Sequence, residues 1–338
     1  MQSKNIVFVK ENTAKVLLEE VPALQPGQVL VKLQVSTISS GTERANLTGC
    51  KTVSPLVKEP DKAIFPRRGG YSSAGIVEQV GEGVTSVKPG DRVAVSWSTH
   101  NQYVVAKESN ICPIGNTAFA DAALFHIATF PMAAIRKCRL EMGESAIVMG
   151  LGVLGLVALK LLRAAGAAPI IAVDPDPKKR EKALACGADF ALDPFAADFA
   201  EKAKALTNGG AKVGIEVTGI GAGLDGILDC MARYGRVALL GCTRSSDFTI
   251  DYYRKVHGPG ITLVGAHTKA RPEEESAPGW WTQKDDVRAL KTMTELGRLT
   301  FADMVDEIHG PAEAEEVYTR LAFEKTFPIV QFDWSDLA

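Results

Sequence analysis

The chain has 338 residues, 46% of them hydrophobic and 23% charged, with a formal net charge of −2. That length exceeds one ordinary core and predicts two domains of about 150 residues each, while the near-neutral balance excludes a broad basic field for nucleic acid or anionic lipid. No apolar run is long enough to span a bilayer and the opening MQSKNIVFVKEN lacks the apolar core of a signal peptide, so a cytoplasmic location is expected, with neither nucleic acid nor membrane as a partner.

The first third reads as β-rich. The turn Gln25-Pro-Gly-Gln28 introduces Val29, Val31, Leu33 and Val35, alternating with Leu30, Lys32, Gln34 and Ser36, a strand with one apolar face. Further strands are predicted at Ala74–Val80, Arg92–Ser96 and Gln102–Ala106, separated by turn signals at Gly81-Glu-Gly83 and Lys88-Pro-Gly-Asp91. Short strands at this spacing predict a small barrel-like domain.

From Ala118 the period changes. Phe119–Lys137 reads as a helix leading into a parallel strand that begins at Ala146. A helix at Val153–Ala165 and an apolar run at Pro169–Val173 follow. Next come helix Lys178–Cys186, strand Phe190–Leu192, helix Ala196–Ala205, strand Val213–Val217, helix Gly223–Met231 and strand Arg236–Leu240. With Ile261–Val264 as its last strand, this alternation predicts a doubly wound parallel sheet. Helices at Lys284–Leu299 and Ala312–Phe323 and a strand at Pro328–Phe332 would return the chain to the first domain. The expected division is 118–267 for the parallel-sheet domain, with 1–117 and 268–338 forming the other.

The segment Ala146–Asp174 carries the most specific chemistry. Gly150, Gly152 and Gly155 form G-x-G-x-x-G between a strand and a helix: the first permits the sharp turn, the second lets backbone approach a pyrophosphate, and the third lets helix pack on strand. The pyrophosphate would sit on the amides of Val153, Leu154 and Gly155, at the positive end of the helix. Asp174 follows the next apolar run at the spacing of a ribose-binding acid. Asp174 and Asp176 would repel a 2′-phosphate, so NAD rather than NADP is expected; Lys178, Lys179 and Arg180 read as a solvated first helical turn. Thr218 and Gly241, at the ends of later strands, would line the same crevice. Six cysteines lie without any C-x-x-C pair and read as small hydrophobes, not nucleophiles.

Ser40-Gly-Thr-Glu43, Gly70-Tyr-Ser-Ser-Ala-Gly-Ile-Val77, Val80-Gly-Glu-Gly-Val-Thr-Ser-Val-Lys-Pro-Gly-Asp-Arg-Val93 and the glycine loop together resemble the medium-chain dehydrogenase/reductase superfamily, the alcohol and polyol dehydrogenases. The resemblance covers nearly the whole chain. It implies an α/β protein with a GroES-like β-rich catalytic domain and a Rossmann nucleotide-binding domain. Zinc members would carry Cys-Gly-Thr-Asp at Ser40–Glu43 and Gly-His-Glu at Gly70–Ser72. Of the family's ligands only an imidazole, His126, has its counterpart here, and a hydroxyl and a phenol are poor neutral donors to Zn²⁺. The structural-zinc lobe is missing too, so no metal is expected.

By family position, Thr42 matches a proton-relaying hydroxyl, while Tyr71 and His126 occupy ligand sites, and these three are the catalytic candidates. Each has a structural alternative: His126 as a core histidine, Tyr71 as a filler of the space the metal leaves, Thr42 as a helix cap. Glu43 matches a carboxylate behind the metal and could instead pair with Arg44, Arg67 or Arg68. Ser40, Glu43, His100 and Trp280 are candidate substrate contacts. Ser39, Ser72, Ser73, Asn101, Gln102, His257, His267 and Trp281 add polar and aromatic character that suits a carbohydrate or polyol. The expected function is NAD-dependent interconversion of a secondary alcohol and a ketone on a small hydroxylated substrate. A zinc-free quinone or enoyl reductase and a non-catalytic NAD-binding redox sensor are the alternatives. The apolar strand Ile261–Val264 resembles the edge through which family members dimerise, so a homodimer is expected.

Overall fold

The computed structural model describes residues 1–51, 53 and 64–337. It divides into two compact units, Met1–Ile127 with Val287–Ala338, and Ala128–Asp286. The boundaries expected from sequence were 117/118 and 267/268; the divisions at 127/128 and 286/287 fall inside helices.

The first unit opens with two strands that the sequence reading did not predict. β1 (Gln2–Lys10) and β2 (Thr13–Glu20) form an antiparallel hairpin, whose apolar alternation is diluted by Lys4, Lys10, Glu11 and Lys15. β3 (Gln28–Thr37) leads to helix α1 (Ser40–Leu47), and the short β4 (Arg67–Arg68) returns to pair with β1. β5 (Ser72–Val80), β6 (Arg92–Ser96), β7 (Tyr103–Lys107) and β8 (Ile111–Pro113) build a mostly antiparallel sheet on β3, which pairs with both β5 and β7. Flanked in this way, β3 buries Leu30 as well as Val29 and Val31. The Lys88–Asp91 turn closes as its composition predicts: Lys88 N–H donates to Asp91 Oδ2 (2.9 Å), Asp91 N–H donates to the Lys88 carbonyl (3.1 Å), and Gly90 takes φ +90.

The helix expected at Phe119–Lys137 is two helices, α2 (Phe119–Ala122) and α3 (Phe125–Lys137). At the break, the Ala123 carbonyl accepts a hydrogen bond from Ser72 Oγ (2.6 Å).

The second unit alternates strand and helix: β9 (Ala146–Met149), α4 (Val153–Ala164), β10 (Ile170–Val173), α5 (Pro177–Ala185), β11 (Phe190–Leu192), α6 (Phe199–Leu206), β12 (Ala211–Glu216), α7 (Gly221–Asp229), β13 (Met231–Leu239) and β14 (Thr262–Gly265). All neighbouring pairs are parallel, in the order β11-β10-β9-β12-β13-β14. β9 and β10 are buried at every position, as a sheet covered on both faces requires. The order reverses between β9 and β12, where such sheets open a ligand crevice beyond the strand carboxyl ends. Near the end of this unit, Asp286 is buried between Arg136 (2.8 Å) and Arg271 (3.4 Å), and the Arg136 guanidinium lies 3.7 Å from the centre of the Trp281 ring.

After α8 (Gln283–Glu295) the chain completes the first unit with β15 (Glu307–His309), α9 (Ala314–Phe323) and β16 (Val330–Asp333), the last pairing antiparallel with β3. Its core gathers Ile6, Phe8, Leu33, Tyr318, Phe332 and Trp334 from both ends of the sequence. Among the described residues no helix is long and apolar enough to cross a membrane.

Candidate active site

In the second unit, β9 ends at Met149 and the glycine loop turns directly into α4. Gly150 takes φ +99, a conformation that L side chains rarely adopt. A Cβ on Gly155 would lie 2.0 Å from the Gly150 carbonyl oxygen, so the loop and the helix can close only over a glycine. Gly152 differs: it stands at the helix N-cap, no side chain caps the first amides, and a Cβ there would meet nothing within 4 Å. The amides of Val153, Leu154 and Gly155 therefore begin α4 beneath open space, the form an anion-binding helix end takes.

Asp174, buried beside the loop, accepts the Leu151 N–H at Oδ2 and the Asp176 N–H at Oδ1, both at 2.9 Å. Each carboxylate oxygen retains a lone pair, enough for a pair of vicinal hydroxyls. Asp176 caps α5 through the Lys178 N–H (2.9 Å), and Arg180 donates to the carbonyls of Asp174 (2.7 Å) and Pro175 (2.9 Å). The Arg180 guanidinium is thus engaged with these two carbonyls and, at 3.4 Å, with the Asp193 carboxylate. Thr218 lies against the loop, since a Cβ on Gly150 would be 3.0 Å from Thr218 Cγ2, while Gly241 lies against the turn after β12, where its Cβ would be 2.3 Å from the Gly219 nitrogen. Glu216, the last residue of β12, organises this corner. It accepts from the Thr218 N–H (2.8 Å) and the Thr218 hydroxyl, and burial pushes its carboxyl above the usual range. These residues fit a dinucleotide.

In the first unit, Tyr71 and His126 come together. Their rings stand edge to face with centroids 5.7 Å apart, and the indole of Trp97 meets the His126 ring at 4.5 Å and the Tyr71 ring at 6.3 Å. His126 is 2% exposed beneath these rings, whereas Trp97 is 43% exposed. Trp97 was missed in the sequence because a tryptophan at the end of a strand carries no motif. Its backbone signal is structural: φ is +59, an outlier for a bulky residue and a kind of strain that clusters at ligand sites. The Tyr71 hydroxyl is hydrogen-bonded to Ser39 Oγ, and the Tyr71 carbonyl accepts the Trp97 N–H (2.8 Å).

Several expectations are corrected here. Thr42 does not cap α1; Ser39 stands at the N-cap, and Thr42 lies half-buried in the first turn, two residues after the half-buried Ser40, its carbonyl accepting from Asn46 Nδ2 (3.1 Å). Glu43 and His100, expected to touch substrate, are 1% and 0% exposed. They bond to each other (3.0 Å) and to core groups, because both project inward under Tyr318 and Phe332. No arginine takes part: Arg44 donates to the Glu324 carbonyl, Arg67 to the carbonyls of Ile64 and Cys50, and Arg68 to Glu19. Ser72, Ser73 and Gln102 are likewise buried on structural partners. Not among these corrections are Trp280, in the second unit with its ring 4.9 Å from Lys137 Nζ and 45% exposed, and His257, which stacks on Tyr253. Of the cysteines, Cys138, Cys186 and Cys230 are buried, and burial pushes the Cys138 and Cys230 thiols up to about 12, far from a nucleophile. Cys50 and Cys112 are half-buried and Cys242 is exposed.

Comparison with known proteins gives a consistent picture. Residues 25–137 match the alcohol dehydrogenase GroES-like domain and residues 153–278 match the zinc-binding dehydrogenase domain. D-guloside 3-dehydrogenase of Escherichia coli (strain K12) is 25% identical over 340 residues, covering 93% of this chain and 95% of that protein. (R,R)-butanediol dehydrogenase of Bacillus subtilis (strain 168) is 30% identical over 238 residues, covering 60% and 66%. The crystal structure of 2R,3R-butanediol dehydrogenase from Bacillus subtilis shares the fold, with a TM-score of 0.80 at 22% identity over 98% of this chain and 99% of that one. Two domain matches in succession, on a β-rich unit and a parallel sheet that opens its crevice at the glycine loop, establish that the chain belongs to the medium-chain dehydrogenase/reductase superfamily.

Proposed function

We propose that the protein is an NAD-dependent dehydrogenase that interconverts a secondary alcohol and a ketone on a sugar, polyol or related hydroxylated molecule, without catalytic zinc. The observation that carries this reading is the uncapped start of α4 under Gly152 with the Asp174 carboxylate beside it. The names of the relatives, dehydrogenases of a guloside, of butanediol and of threonine, support it. NAD is favoured over NADP by Asp174 and Asp176 at the ribose position, and by the engagement of Arg180 with carbonyls. Trp97 supports a cyclic hydroxylated substrate, since its partly exposed indole offers a face to the C–H side of a sugar ring.

When bound, NAD⁺ supplies the acceptor for the hydride that leaves the substrate carbon. The chain must hold the substrate oxygen and take its proton. His126, an imidazole framed by Trp97 and Tyr71, accepts that proton. Tyr71, fixed by Ser39 at its hydroxyl, orients the oxygen, and Thr42 adds a hydroxyl from the first turn of α1. The donors do not fit a zinc ion: the Tyr71 phenol is a poor neutral ligand, Glu43 is committed to the core, and among the described residues no three of His, Cys, Asp and Glu converge on one point.

The test offers NAD⁺ or NADP⁺ with methyl D-gulosides, sorbitol, (R,R)-2,3-butanediol and L-threonine, and separately offers NADPH with menadione. NADH formation with a sugar or polyol is expected, with NAD⁺ preferred by about tenfold or more, the scale of ~1.4 kcal/mol of charge repulsion. Turnover confined to NADPH and the quinone would overturn the dehydrogenase reading in favour of a reductase. Tight NADH binding with no turnover on any compound would favour a binding protein, and stoichiometric zinc lost together with activity would end the zinc-free part.

A further inference from the structure

The mechanism above leaves one buried set of polar groups unused. Glu43 Oε1 accepts the Ser39 N–H (2.7 Å), while Oε2 accepts the Tyr318 hydroxyl (2.5 Å) and faces His100 Nε2 (3.0 Å). His100 Nδ1 lies 2.7 Å from Ser36 Oγ, which accepts the Trp334 indole N–H (2.9 Å). Because the indole only donates, the Ser36 hydroxyl hydrogen can go to His100 Nδ1, and the Nε2 hydrogen then goes to Glu43. Burial, then the Glu43 charge, hold the Tyr318 phenol well above its ordinary range, so it stays a donor.

The backbone lies directly on this pair. Gly69 accepts the His100 N–H (3.2 Å); a Cβ on Gly69 would sit 2.9 Å from Glu43 Oε2, and one on Gly70, at φ +86, would sit 2.9 Å from His100 Cδ2. Only glycines allow so close an approach, and the next residue is Tyr71. The backbone end of Tyr71 is therefore seated on His100. Its hydroxyl end is seated on Ser39, whose own amide is held by Glu43.

We propose that the buried Glu43–His100 pair is a positioning device for Tyr71, fixing both anchors of the Ser39–Tyr71 hydrogen bond; this rests on the reading of Tyr71 as the group that orients the substrate oxygen. Stability alone explains the pair poorly. Buried charged and polar clusters are often replaceable by hydrocarbon at no cost, and here two glycines and a serine N-cap converge on one. Neither Glu43 nor His100 touches substrate; both act through the phenol.

The experiment labels the tyrosines with ¹³C at Cζ, where the shift reports the hydrogen bonding of each hydroxyl, and assigns the Tyr71 signal by its loss in Tyr71→Phe. In Glu43→Gln the Tyr71 signal is expected to move in the same direction as in Ser39→Ala, while those of Tyr234, Tyr252 and Tyr253 stay. An unmoved Tyr71 signal would overturn the inference whatever the kinetics. Turnover of the substrate found in the panel gives the second arm: Glu43→Gln lowers kcat about tenfold in the wild-type background with KM little changed, but less than about twofold in Tyr71→Phe. Equal losses in both backgrounds would mean that Glu43 does not act through Tyr71, and would also overturn it. If Tyr71→Phe alone leaves kcat unchanged, or no compound turns over, the functional reading of Tyr71 falls, while the Cζ shifts still decide whether the pair holds the phenol. Should Glu43→Gln not fold, His100→Gln, which keeps an amide donor for Glu43, enters the same comparison. Failure of both to fold would assign the pair to stability and overturn the inference.

Discussion

Under the proposed function, Trp97 and His126 divide substrate packing and proton transfer between two side chains in contact. Trp97 holds a left-handed backbone conformation that costs about 1–3 kcal/mol in a non-glycine residue, and it offers an indole face beside an imidazole that is almost fully covered. The two should fail differently. His126→Gln, which keeps a polar side chain but cannot carry a proton, is expected to lower kcat by ~10²-fold or more with little change in KM. Trp97→Asn, a residue that tolerates the left-handed region, is expected to raise the KM for glycosides about tenfold while kcat falls less. Steady-state kinetics on both variants checks the contrast; a KM defect in the histidine variant with kcat intact would reverse the assignments. Tyr71 was legible as a candidate from the Gly70–Val77 motif, and His126 from its position relative to the family. Trp97 was not, since its role comes from backbone strain and from a neighbour brought in by folding.

At the scale of elements, the glycine loop separates two functions that share one motif. Gly155 is required by packing, because its Cβ would collide with the Gly150 carbonyl at 2.0 Å; packing does not require Gly152, whose Cβ would meet nothing within 4 Å, and under the proposed function the dinucleotide does. Gly155→Ala is therefore expected to destabilise the second unit by roughly 1–3 kcal/mol and to weaken NAD binding. Gly152→Ala should leave Tm unchanged and still weaken NAD binding. Thermal melts and NADH titration separate the cases, and equal losses of stability in the two variants would contradict the geometry. The parallel-sheet elements were read well, since strands buried on both faces and separated by helices keep long apolar runs. The first hairpin and the three-residue β8 and β15 were not read, because charged residues or brevity hide their period. The split of the expected Phe119–Lys137 helix around Ala123 was equally invisible: the partner of the Ala123 carbonyl at the break is Ser72, on a strand distant in sequence.

At the scale of the molecule, β14 ends the parallel sheet with Thr262 and Gly265 exposed and Leu263 and Val264 half-buried. An edge strand of this composition, bearing no charge, is a site for pairing with a second chain, and a homodimer through it is proposed. Light scattering is expected to give twice the 36.1 kDa chain mass, and Leu263→Lys with Val264→Lys should reduce it to one chain. A wild-type protein of single-chain mass would reject the dimer.

The sequence by itself determined the order of elements in the parallel sheet, the glycine loop, Asp174 and the superfamily, because each is written in residues close together in the chain and governed by local geometry. Only the tertiary structure decided which polar residues face a ligand and which face the core. Glu43 and His100 looked like site residues and are buried together, while Ser39 and Trp97 hold or flank the two catalytic candidates. The physical reason is that burial and partnership belong to the packing of segments far apart in sequence. A carboxylate beneath Tyr318 is committed to the core by a helix near the far end of the chain, and nothing in Ser40-Gly-Thr-Glu43 records that contact.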